Sequence, residues 1–170
     1  MVSAIFAKIS PYNIINYMIP GTIFCLLIKY LVGWNFIDFD NWYLSALVFY
    51  FSGMICSRVG SLVVEKCIKC LFGVRFADYA DYLRAEKMDE MVGKLNQECN
   101  AFRTYVAMIL ILILAMLWNW VITNCPCIAG AQKVIFILFL LVLFLSSYVK
   151  QIGYVVKRVK ACCHKTESLE

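Results

Sequence analysis

Cysteines, one histidine and a few charges set inside apolar stretches are the side chains through which this chain could do chemistry. Cys67 and Cys70 form a CxxC, and Cys162, Cys163 and His164 lie close together near the end. Four thiolates and an imidazole are a donor set for zinc. The CxxC lacks a knuckle glycine and has no second CxxC to meet, so thiols used as small apolar side chains are the plainer reading, and no metal site or cofactor is expected. Cys125-Pro-Cys127 is too tight for a comfortable internal bridge and suits an intermolecular one. Arg58 and Glu65 stand seven residues apart, which at 100° per residue puts them within about 20° of each other on one helical face. Charge on a membrane helix is costly, so these two mark a pore or a subunit contact, with snorkelling of Arg58 to a headgroup as the open alternative.

The elements that must carry these residues are membrane helices. The chain has 170 residues, of which 63% are hydrophobic, and its mean hydropathy is +0.77. That exceeds what a soluble domain of this size can use, and it predicts an all-α integral membrane protein, one membrane domain over 1–170. Four spans are expected, at about 11–33, 42–64, 104–123 and 134–156. Ser10-Pro11 reads as a helix start, and Pro20-Gly21 as a kink within the first span. Asn13 and Asn16 are the polar residues of that span and join Arg58 and Glu65 as pore or contact candidates. Trp34, Trp42, Trp118 and Trp120 mark one membrane–water interface. Residues 1–10 fit an interfacial helix, the start shows no removable signal peptide, and Leu169-Glu170 reads as a cloning remnant.

In the second span Ser52, Gly53, Cys56, Ser57, Gly60 and Ser61 recur at i, i+1, i+4, i+5, i+8 and i+9. They form one stripe of small residues, roughly 150° from Arg58, along which helices can approach closely. Residues 66–103 are polar and mixed in charge. They are expected to form either a helical hairpin or a bent continuation of the second span, with Gly73 as the break. Met88, Met91, Val92 and Leu95 recur at helical spacing and offer a contact face.

Topology follows from the basic residues. With the N-terminus, residues 66–103 and the C-terminus on one side, fourteen of the sixteen Lys and Arg lie there, leaving Lys29 and Lys133 opposite. The positive-inside rule makes that side cytoplasmic. A chain with so much of its length in lipid has little left for a catalytic domain. No nucleophile elbow, phosphate-binding glycine loop or His-rich metal motif is present, so no enzyme is expected.

One catalytic alternative remains. Arg158-Val-Lys-Ala-Cys-Cys-His164 fits the R-x(4-6)-H pattern of HEPN ribonucleases, in which Arg and His act on the RNA phosphate and 2′-hydroxyl; a basic tail beside acidic lipid headgroups is the simpler reading. By its size, its spans and that motif, the chain resembles the small Csx-type membrane accessory proteins of type VI-B CRISPR loci. The resemblance implies a ring-shaped homo-oligomer in the bacterial inner membrane, contacting lipid. It further implies a pore that depolarises the cell once an RNA-guided, RNA-cleaving effector has recognised viral RNA, without direct nucleic-acid binding of its own. A non-conducting scaffold that recruits a cytoplasmic partner is the other alternative.

Overall fold

The computed structural model describes residues 14–35, 41–74, 77–124 and 130–167, with side chains described as far as Val159. Among these residues all regular structure is helical. A π turn, Ile14–Met18, leads into α1, Ile19–Val32. Then follow α2, Trp42–Val59; a second π turn, Gly60–Val64; α3, Glu65–Phe72; α4, Tyr79–Met88; α5, Glu90–Asn124; and α6, Gln132–Glu167. Three helices are long and apolar enough to cross a membrane: Trp42–Phe72, Glu90–Asn124 and Gln132–Val159. The first apolar helix, Asn16–Val32, is shorter.

The ends and irregularities have local causes. Pro20 has no N–H to give the Asn16 carbonyl, and the ladder widens to i→i+5 in the π turn just before it, while α1 runs on through Pro20 and Gly21. Gly33, at φ 82°, closes α1 in the left-handed region and donates its N–H to the Lys29 carbonyl at 3.2 Å. Asn41 caps α2 by accepting from the Leu44 N–H at 3.3 Å. Gly73, at φ 61°, ends α3 in the same left-handed way. Asp89, extended, starts α5 by accepting the Met91 N–H at 2.8 Å. Both forms foreseen for residues 66–103 occur together. α3 continues the second span to Phe72, and α4 folds back on the first turns of α5, where Asn96 donates to the Tyr82 hydroxyl at 3.1 Å.

Packing radiates from α2. A Cβ on Gly21 would overlap the Phe49 carbonyl, and one on Gly53 would overlap the Tyr17 carbonyl, so α1 and α2 meet backbone to backbone. A Cβ on Gly60 would lie 3.1 Å from the Arg103 carbonyl of α5. Two small cores follow: Ile28, Cys56, Met108 and Leu112, and Val59, Val64, Ala107 and Leu143. The small-residue stripe thus serves several neighbours. Ser52 and Gly53 face α1 and its π turn, Cys56 lies between α1 and α5, Gly60 touches α5, and Ser61 reaches α6. Ser57 is half-buried. By contrast α6 is barely engaged, with 11% of its apolar window buried inside the chain.

Candidate functional site: a carboxylate among three cations

The second π turn sets the site. One π turn acts as a one-residue insertion and rotates all that follows by about 100°. Glu65 is therefore carried off the Arg58 face on which regular helical spacing had put it, and turned toward α5 and α6. Its side chain is 13% exposed and accepts from three cations. Lys69, one turn on, meets Oε1 at 3.0 Å. Arg103 of α5 and Lys150 of α6 meet Oε2 at 3.3 and 2.8 Å. Lys150 also donates to the Ser61 carbonyl at 2.6 Å and the Ser61 hydroxyl at 2.8 Å, so its three N–H donors have three acceptors. Glu65 thereby ties α3, α5 and α6 at a single point.

Charge in this cluster does not balance: three cations face one carboxylate. The Arg103 Nε is buried and has no acceptor among the described residues. Two open cavities flank Glu65 between α3 and α6. The first, about 320 Å³, is lined by Glu65, Lys69, Lys150, Gly153, Tyr154 and Lys157. The second, about 520 Å³, is lined by Leu62, Glu65, Lys66, Lys69, Ser146, Val149 and Lys150. The Lys150 ammonium stands 5.8 Å from the centre of the Tyr154 ring, within cation–π range. Lys150 follows Lys133 by seventeen residues, about 26 Å along α6. That separation is a little less than the roughly 30 Å of a bilayer's hydrocarbon core.

The other residues singled out in the sequence fall apart from this cluster. Arg58 is half-buried and has no hydrogen-bond or ion-pair partner among the described residues. Asn16 is 1% exposed, enclosed by the chain's own packing. Asn13 lies outside the described residues, as do Cys125 and Cys127. Met88, Met91 and Leu95 are exposed on the α4–α5 turn, and Val92 is half-buried there. Cys67, Cys70 and Cys99 are exposed free thiols, and no cluster of metal-ligating side chains occurs among the described residues. Arg158 is exposed near the end of α6, while the side chains of Cys162, Cys163 and His164 lie outside the described set.

Sequence reasoning passed over Arg103 and Lys150. A signal was present. Lys150 interrupts an apolar run, and Glu65 lies on the flank of another, and a lone acid and a lone base at matched depths in two spans are a pair to look for.

Fold and site together define an all-helical chain of membrane-spanning character with a cationic cluster at one end of its bundle. Comparison with protein-family models, with curated proteins and with solved structures finds no match to this chain.

Proposed function

We propose that the chain is a multi-pass protein of the bacterial cytoplasmic membrane that assembles with copies of itself, as a ring, into a pore. On this reading it is not an enzyme. Its role is antiviral defence: it opens when an RNA-guided, RNA-cleaving effector has met its target. α1 is the fourth crossing, carried through the bilayer by its backbone contact with α2. Both termini and the α3–α4 region face the cytoplasm, in keeping with the distribution of Lys and Arg.

The observation that carries the assembly is Arg58. It is a half-buried cation within the Trp42–Phe72 helix, without a counter-charge among the described residues. A cation in such a place is stabilised by an acceptor on a second copy or by water in a conducting path. The thinly covered α6 adds apolar surface for neighbouring copies. The antiviral setting is supported by the resemblance built on Arg158 and His164. Reconstituted protein should run as an oligomer and raise bilayer conductance with its effector active, and Arg58→Ala should abolish conductance. Protein that stays monomeric, or that leaves the bilayer silent under those conditions, sinks the proposal.

The exposed Met88, Met91 and Leu95 favour a second reading, a scaffold that recruits a cytoplasmic partner without conducting. There Arg58→Ala is silent and Leu95→Asp abolishes function. A membrane-tethered ribonuclease rests on Arg158 and His164 alone, and requires RNA cleavage that is lost in His164→Ala with assembly intact.

A further inference from the structure

Among the described residues, the cluster around Glu65 gathers more positive than negative charge. The two cavities that share Glu65, Lys69 and Lys150 also take in Lys66 on one side and Lys157 on the other, which makes four lysines around one carboxylate. Lys66 and Lys157 are exposed and make no ion pair among the described residues. Lys150 is saturated by Ser61 and Glu65, so it is part of the frame and does not reach for a ligand.

We infer that these paired cavities form a binding site for the phosphate of an anionic glycerophospholipid. Lys66 and Lys157 supply the charge from either side, the Ser146 hydroxyl lines the second cavity, and the Glu65–Lys150 pair holds the frame open. Three observations select that ligand. The volumes suit one headgroup and not a polymer strand. Leu62 and Val149 wall the second cavity, and Val149 is 68% exposed, so the lining suits a ligand that pairs an anion with apolar chains. The cluster lies about 26 Å along α6 from Lys133, close to the roughly 30 Å of a hydrocarbon core, so its lysines can reach one headgroup layer when Lys133 marks the other. The site goes beyond the pore reading and does not depend on it, since a monomeric, non-conducting protein would carry it unchanged.

Native mass spectrometry of the full-length protein in detergent, titrated with phosphatidylglycerol or with phosphatidylcholine, tests the site. Phosphatidylglycerol should bind more tightly, and Lys66→Gln with Lys157→Gln should weaken it by about fivefold per lysine, or about 25-fold together. Lys87→Gln with Lys94→Gln removes the same charge from α4 and α5 and should leave binding within about twofold. A second arm adds inorganic phosphate. Failure of millimolar phosphate to displace the lipid identifies the lipid as the ligand, while full displacement keeps the phosphate site but assigns it to the free anion. Equal binding of the two lipids, or equal losses in the two double variants, overturns the inference.

Discussion

At the seam between α1 and α2, backbone meets backbone at Gly21 and Gly53, whereas the polar hold of α6 on the same bundle is an ammonium lodged between Ser61 and Glu65. The first seam is made of dispersion contacts, which demand exact shape and ignore salt and charge state. The second is made of directed charge over a mostly uncovered helix, whose apolar contacts among the described residues include the buried Leu143 and the Phe144 ring against Phe51. The two seams divide the molecule into a shape-locked pair, extended by α5, and a helix held on a polar tether. A helix held in that way is the one whose position a ligand, a neighbour or ionic strength can change.

Substitutions that break one seam and spare the other test the division. The largest effect is expected at Gly53→Val, where the new side chain is driven into the Tyr17 backbone; a loss of at least about 3 kcal/mol should appear as loss of monodisperse protein in detergent. Next is Glu65→Gln, which strands Arg103 and Lys150 without their carboxylate. It should cost about 2–3 kcal/mol and speed amide exchange in the middle of α6, with α1 and α2 unchanged. Lys150→Met should cost about 1–2 kcal/mol, because Glu65 keeps Lys69 and Arg103. Its effect should overlap that of Glu65→Gln in a double-mutant cycle; strict additivity would show that the tether does not pass through this pair. Raising salt should loosen α6 in the native protein and leave the Gly21–Gly53 seam alone.

The helical class and the three long apolar helices were legible because length and hydropathy are one-dimensional properties of the chain. So was Gly73, whose left-handed backbone follows from its residue type in context. The Arg58–Glu65 face was not legible, since the argument assumed 100° per residue throughout. The Gly60-Ser61 pair accommodates a π turn, and Lys150 of α6 donates to the Ser61 carbonyl there, a contact 89 residues distant in sequence that helical spacing does not show. Arg103 was hidden for a similar reason. It was counted with the polar segment 66–103, although α5 runs unbroken from Glu90 to Asn124 and carries Arg103 into the bundle beside Gly60.

The smallest effect belongs to a third, exposed seam, the α4–α5 turn, which sharpens the contrast because it is polar but nearly uncharged in its contacts. The Tyr82 hydroxyl donates to Glu86 at 2.9 Å and accepts from Asn96 at 3.1 Å. Partial burial first, and the hydrogen bond it gives to Glu86 second, push the Tyr82 phenol above its usual pKa. The folded turn therefore holds that proton more tightly than the unfolded chain does. Its contribution is complete below the ordinary tyrosine value of about 10, and is lost as pH rises through the higher folded value. Tyr82→Phe should cost about 0.5–1 kcal/mol at neutral pH and remove that part of the alkaline loss. Amide exchange in α4 followed from pH 9 upward, corrected for the intrinsic rate, reads this directly. A lead of wild type over the Phe variant in α4 protection that stays the same from neutral to high pH would show that the Tyr82 proton does not couple the two helices.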